Sequence, residues 1–92
     1  MRRLRYSVVL LPDHEAGGFT VEVPDLPGCV TEGDTFEEAL EIAEEAIEGF
    51  LVVMKKDGDP IPMPTKLEAI VRRTTKSRLK ESPIFTTVKV AA

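Results

Sequence analysis

A long amphipathic helix with a marked beginning and end constrains this chain more than any other feature. Thr35 suits the N-cap position, and Glu38, three residues later, completes a capping-box pattern. Lys55 and Lys56 complement the negative end of the helix dipole, and Gly58 is well placed to stop the helix. Between these signals, apolar residues fill about half of the helical circumference and the glutamates fall in the opposite arc. The pattern predicts a surface helix with one broad buried face.

Short strands are predicted before this helix. Residues 4–11 are rich in apolar and β-branched side chains, and residues 19–23 alternate apolar with polar ones. The intervening segment 12–18 has turn chemistry, so the two strands predict a hairpin. A Pro/Gly corner at 24–28 then breaks the ladder, and residues 29–32 are long enough for a third strand.

The segment after the helix is less regular. Proline recurs at alternate positions in residues 59–64, which predicts extended backbone. Residues 66–80 are basic and have a weak helical pattern, which leaves 65–83 as helix or loop. Residues 84–90 alternate well enough for a final strand.

The predicted order β-β-β-α-(α)-β favours an α+β two-layer sandwich. Three strands with short connections form an antiparallel meander, and the last strand is expected beside the first. If that pairing is parallel, the long helix becomes a right-handed crossover over one sheet face. The other face is left for the segment 66–80 or for a second copy. We expect one domain over residues 1–92, with a core at 4–64 and a closing strand at about 84–90.

Composition excludes several functional classes. A chain of 92 residues supports one modest core, so further burial through a homodimer or tetramer is expected. The net charge of −4 argues against tight general binding of nucleic acid. Cys29 is the only cysteine, which favours a reducing compartment. No apolar run approaches the roughly 18 residues of a membrane span, and a strand rather than a signal peptide opens the chain. A cytoplasmic protein is therefore predicted.

The sequence offers little for catalysis. A nucleophilic Cys29 needs a base, and His14 is the only histidine, in a glycine-containing turn. One histidine and one cysteine cannot form a tetrahedral metal site. Asp13, Asp25 and Asp34 lie in three different turns, whereas two-metal chemistry needs converging carboxylates. We predict no catalytic residue, no metal and no cofactor, and a protein that is not an enzyme.

Three motifs resemble the HicB antitoxin family. They are P-D-L-P-G-C at 24–29, G-D-T-x-E-E-A-L at 33–40 and D-G-x-x-I-P-x-P at 57–64. Each motif is short, but their order and spacing make a specific match over about two-thirds of the chain.

The resemblance implies a partial ribonuclease-H-like fold without nuclease activity. It also implies an antitoxin of a type II pair, which binds a small HicA-type mRNA-cleaving toxin and masks its active site. The alternative is a stand-alone HicB-like module, a homo-oligomeric regulator or scaffold with no toxin partner. Many such antitoxins carry an additional DNA-binding module. The residues after Pro64 are too few for one beside the closing strand, so direct binding to operator DNA is not expected.

Two surfaces are candidates for partner binding. The corner is the first, because prolines reduce its ordering entropy and Leu26 is expected as an apolar anchor on an exposed tip. Its alternative role is a turn that sets strand register. The glutamates of the long helix are the second, as an RNA mimic or simply as a solvated face. The basic segment 66–80 lacks an aromatic residue for base stacking and is expected to be solvated. The corner residues are Pro24, Asp25, Leu26, Pro27, Gly28 and Cys29.

Overall fold

The chain forms an α+β structure with one antiparallel sheet, as the sequence predicts. The computed structural model describes residues 3–92; Met1 and Arg2 lie outside the described residues. In chain order the elements of this range are β1 Arg3–Pro12, β2 Phe19–Glu22, β3 Val30–Gly33, α1 Phe36–Lys56, α2 Leu67–Arg73, α3 Lys76–Leu79 and β4 Ile84–Ala91.

The strand order in the sheet is β3-β2-β1-β4, and every neighbouring pair is antiparallel. The last strand lies beside the first, as expected. The two strands are antiparallel, with Leu10 of β1 facing Ile84 and Leu4 facing Val90, so α1 is not the crossover that a parallel pairing would require. The cause is the chain between α1 and β4. Helix α1 returns the chain toward the start of β1, and the segment 66–83 then crosses the sheet again, so β4 begins beside the end of β1.

Both predicted ends of α1 are confirmed by backbone geometry. The Thr35 hydroxyl accepts a hydrogen bond from the Glu38 amide at 3.1 Å, as an N-cap does. At the other end Gly58 has φ +76°, and its amide donates to the Lys55 carbonyl. The Asp59 amide donates to the Met54 carbonyl at 2.9 Å, which completes a Schellman motif. These local signals fix a helix of 21 residues.

The core lies between α1 and one face of the sheet. Tyr6, Val8 and Leu10 are fully buried on that face, because alternate residues of a strand point to the same side. Gly33 ends β3 directly under the helix, and a Cβ there would lie 2.6 Å from the Ala39 backbone. The remaining buried members of the core are Val21, Val23, Leu26, Cys29, Ala39, Ala43, Ile47, Leu51, Val88 and Val90.

The segment after α1 passes from one face of the sheet to the other. Strand β2 pairs only with residues 9–12 of β1, so the first half of β1 extends beyond β2. There the Tyr6 hydroxyl donates to the Pro62 carbonyl at 2.6 Å, and the Ser7 hydroxyl donates to the Thr65 carbonyl at 3.1 Å. Neighbouring strand residues point to opposite faces, so these two bonds mark the crossing.

The basic segment 66–80 covers the second face of the sheet. Ile70 of α2 is buried on this side, and so is Val9 of β1. Arg78 donates to both carboxylate oxygens of Glu22, at 3.1 and 3.2 Å. Both side chains remain more than a third exposed, so this pair positions α3 but adds little stability. The sequence predicted that either the segment 66–80 or a second copy covers this face, and the segment covers part of it.

Candidate partner-binding surfaces

The Pro/Gly corner consists of two successive turns. The Leu26 amide donates to the Val23 carbonyl at 3.0 Å, and the Cys29 amide donates to the Leu26 carbonyl at 2.9 Å. In the second turn Pro27 precedes Gly28, whose φ is +91°, the arrangement that a type II turn requires. The corner is therefore rigid without help from a partner.

A side-chain contact fixes the corner to the rest of the molecule. One carboxylate oxygen of Asp25 accepts from the Thr65 amide, and the other accepts from the Thr65 hydroxyl, both at 2.7 Å. These short bonds to a charged acceptor connect the corner to the residue that precedes α2 by one position. Asp25 was predicted as a partner-binding residue, and the structure gives it this internal role.

The expectation that Leu26 is an exposed anchor is wrong. Its side chain is only 1% exposed and lies in the core with Val23 and Cys29. The chain reverses direction on both sides of Leu26, which turns that side chain inward while Pro24 and Pro27 stay outside. An apolar residue in a turn of a small domain contributes more by burial than by exposure.

The exposed part of the corner is still apolar. Pro24, Pro27 and Gly28 are exposed, and Val30 at the start of β3 is 61% exposed. We call these four residues the corner surface. A shallow cleft of about 210 Å³ runs beside it. A rigid apolar surface of this kind suits contact with another protein, because little ordering entropy is lost on binding.

The geometry does not support covalent chemistry at Cys29. The thiol is buried, and burial raises its pKa, so the reactive thiolate is disfavoured. His14 is exposed in the turn between β1 and β2, at the opposite end of β2 from Cys29. The two side chains are not brought together.

Two of the three turn aspartates share one end of the sheet. Asp13 and Asp34 line an open cleft of about 380 Å³ together with Glu32 and Glu38, whereas Asp25 lies at the other end. Sequence reasoning missed this pairing because the two turns are adjacent only in the folded sheet. Across residues 3–92, no group of three or more His, Cys, Asp or Glu side chains is placed to hold a metal ion.

Asp13 also organises its own turn. Its carboxylate accepts hydrogen bonds from the amides of Ala16 and Glu15, each at 3.0 Å. These bonds, that of Ala16 first, lower the pKa of Asp13 below its ordinary value. The carboxylate therefore stays ionised and holds the hairpin turn in shape.

The outer face of α1 is strongly acidic. Glu48 differs from the other glutamates, because its carboxylate accepts a hydrogen bond from the Ala91 amide at 3.1 Å. We call the exposed glutamates of α1, together with the open cleft that Asp13 and Asp34 line, the acidic face. Its helical members are Glu37, Glu38, Glu41, Glu44 and Glu45.

None of the helices between residues 3 and 92 combines the length and the apolar character that crossing a bilayer requires. The longest, α1, carries glutamates along its whole first half.

Comparison with known proteins gives the same family as the sequence motifs. The model of the HicB-like antitoxins of bacterial toxin–antitoxin systems matches residues 6–87. Antitoxin HicB 1 of Photorhabdus laumondii is 42% identical over 64 residues, which cover 70% of this chain and 41% of that protein. A UPF0150 protein of Thermoplasma acidophilum is 42% identical over 59 residues, which cover 64% of this chain and 84% of that protein. The chain thus spans less than half the length of the first antitoxin but most of the second relative.

Solved structures extend the likeness to nearly the whole fold. A chain of the HicA3 and HicB3 toxin-antitoxin complex is 28% identical with a TM-score of 0.74, covering 97% of this chain and 100% of that one. The antitoxin HicB3 crystal structure is 31% identical with a TM-score of 0.71, covering 92% of this chain and 60% of that one. The N-terminal domain of Burkholderia pseudomallei antitoxin HicB, at 21% identity and a TM-score of 0.76, shares the fold. The resemblance found in the three motifs is confirmed: the chain belongs to the family of HicB-like antitoxins of bacterial toxin–antitoxin systems.

Proposed function

We propose that this chain is the antitoxin of a type II pair, which binds a HicA-type mRNA-cleaving toxin and inhibits it by masking its active site. The observation that carries the proposal is the match of 97% of the chain to a chain of a HicA3–HicB3 complex. In this proposal the protein is not an enzyme, uses no cofactor or metal, and acts in the cytoplasm.

The corner surface is the proposed contact with the toxin. It is apolar and exposed at Pro27 and Val30, and the bonds between Asp25 and Thr65 hold it in place. Contacts made by preordered residues retain more of their energy as affinity. The original prediction of residues 24–29 is thereby revised: Leu26 and Cys29 support the surface from the core, and Val30 joins it.

The acidic face is the proposed means of attraction. An enzyme that cleaves RNA presents positive charge to phosphate, and exposed carboxylates complement such a site. Charge of this kind accelerates association and orients the partners more than it tightens the final complex. Toxin binding should therefore slow as salt rises, with a smaller effect on dissociation.

A binding assay with matched variants tests the corner. Val30→Lys places a charge on the corner surface, while Val53→Lys places one on α1, where the side chain is 56% exposed. With a HicA-type toxin encoded beside this gene, we expect Val30→Lys to raise Kd by about tenfold or more, as loss of an apolar contact does. Val53→Lys should leave Kd within about twofold. Equal Kd values for both variants and the unsubstituted chain would remove the corner surface from the interface.

A second candidate function is a stand-alone HicB-like regulator or scaffold without a toxin partner. The match to 84% of the length of the Thermoplasma acidophilum protein favours it, because that relative consists almost entirely of the matched segment. Failure of the chain to bind any toxin encoded beside it, together with a stable homo-oligomer, would support this alternative.

A further inference from the structure

The outer edge of β4 is a free strand edge. Strand β4 ends the sheet and runs over eight residues without a proline. In the part of the chain that the structure describes, no strand pairs with this edge. Edges of this length are usually blocked by prolines, bulges or several charges, whereas β4 carries only Lys89.

The hydrogen bond at Ala91 shows which residues face outward. Its amide donates to the Glu48 carboxylate rather than to β1. In an antiparallel ladder the amide and carbonyl of one residue point to the same side, and the side alternates along the strand. Phe85, Thr87 and Lys89 therefore present both backbone groups at the free edge.

We propose that two copies of this chain pair through β4, antiparallel, about a two-fold axis at Thr87. Thr87 then faces the second copy's Thr87, and Phe85 faces the second copy's Lys89. About six backbone hydrogen bonds form, because all three outward residues on each strand meet outward residues of the other. The two sheets join into one continuous sheet, which is a closed and self-complementary assembly.

The backbone groups at the two ends of this proposed ladder are compatible with the pairing. In the proposed register Ala91 faces the second copy's Pro83. Pro83 has no amide hydrogen, and the Ala91 amide is already bonded to Glu48. No additional backbone donor is therefore left buried and unpaired at either end.

Neighbouring registers of the two β4 strands are expected to be less stable. A shift that centres the axis on Lys89 places two like charges directly opposite, which destabilises a strand pair. A shift that centres the axis on Phe85 places Thr87 opposite Pro83, which cannot donate to it. Pairing at Thr87 instead sets each lysine against a phenylalanine ring, a favourable contact for a cation and its aliphatic stem.

Exposed apolar side chains flank the edge where this assembly would cover them. Val52 of α1 is 57% exposed and lines a shallow cleft with Ala91 and Ala92, at one end of β4. Ile84 is 37% exposed at the other end of β4 and lies on the face of the sheet that α1 covers. Antiparallel pairing brings Ile84 of one copy opposite Val90 of the other, beside Val52. Self-association through β4 does not depend on whether the chain inhibits a toxin.

Sedimentation equilibrium with two matched helix variants tests the interface. Val52→Asp places a charge against the second copy, whereas Val53→Asp changes an equally exposed neighbour that does not line the cleft beside Ala91 and Ala92. We expect the unsubstituted chain and Val53→Asp to form dimers at micromolar concentration. Val52→Asp should raise the dimer dissociation constant by about tenfold or more, because a charge would be buried without a partner. A monomer at about 100 μM for the unsubstituted chain, or equal dissociation constants for the two variants, would overturn the proposal.

Cysteine cross-linking tests the register. Thr87→Cys brings two thiols together across the axis, where opposite Cα atoms lie about 5.5 Å apart. Lys89→Cys places them about four strand residues apart, or roughly 13 Å. Under mild oxidation Thr87→Cys should give a covalent dimer on a non-reducing gel, and Lys89→Cys should not. The native Cys29 is buried in both. Preferential cross-linking of Lys89→Cys would overturn the register. Loss of toxin binding in Val52→Asp, with a chain that is monomeric alone, would assign the edge to the toxin and also overturn the proposal.

Discussion

Removal of the Asp25 carboxylate should destabilise the protein far more than its position in a surface turn suggests. The side chain accepts two hydrogen bonds of 2.7 Å from Thr65, whose backbone is part of the segment crossing between the two sheet faces. Hydrogen bonds to a charged group contribute about 1.5–3 kcal/mol each, and partial exposure favours the lower end. Asp25→Ala should therefore lower the free energy of unfolding by about 2–4 kcal/mol. For a domain of this size each kcal/mol shifts Tm by about 4–8 °C, so a fall of roughly 8–30 °C is expected.

Two further substitutions separate this contact from general charge effects. Asp25→Asn keeps an acceptor for the Thr65 amide and gains a donor for its hydroxyl, so a loss below about 1.5 kcal/mol is expected. Asp59→Ala removes the same charge from an exposed position after α1 and should change Tm by only a few degrees. The assay is thermal unfolding followed by circular dichroism at neutral pH. A Tm for Asp25→Ala within about 2 °C of the unsubstituted chain would refute the reasoning that this contact fastens the corner.

Two other positions carry simple expectations. Leu26→Ala should cost about 2–5 kcal/mol in urea unfolding, because the side chain is buried in the core, and Leu26→Asp should prevent folding. A folded Leu26→Asp variant would show that the corner is not packed as described. Asp13 has a pKa lowered by the Ala16 and Glu15 amides, so its stabilising effect is complete above its unfolded pKa, which is near 3.8, and is lost as pH falls through the folded value. The difference in urea midpoint between the unsubstituted chain and Asp13→Asn should therefore shrink from pH 7 to pH 3, and a constant difference would contradict this assignment.

The parts of the fold that depend on local signals could be predicted from the sequence. The cap at Thr35 and the stop at Gly58 act within a few residues, so the helix ends follow directly. The alternation of Tyr6, Val8 and Leu10 likewise identifies the core face of β1, since side chains in a strand change sides at every residue.

Features that depend on distant contacts could not be predicted. The direction of β4 depends on where the segment 66–83 crosses the sheet, and the weak helical pattern there does not show which face it covers. The burial of Leu26 depends on how the corner folds back onto the core. The contact between Asp25 and Thr65 joins residues 40 positions apart, and neither residue has a pattern that indicates the other. The candidate surface changed for the same reason, because exposure in a turn is a tertiary property.

Single-turnover RNA cleavage by the HicA-type toxin encoded beside this gene, titrated with this chain, tests the central claim most directly. If the chain acts by masking the toxin's active site, cleavage should fall linearly and reach zero near one chain per toxin, while the chain alone leaves the RNA intact. Unchanged cleavage at a large excess of the folded chain would contradict the account.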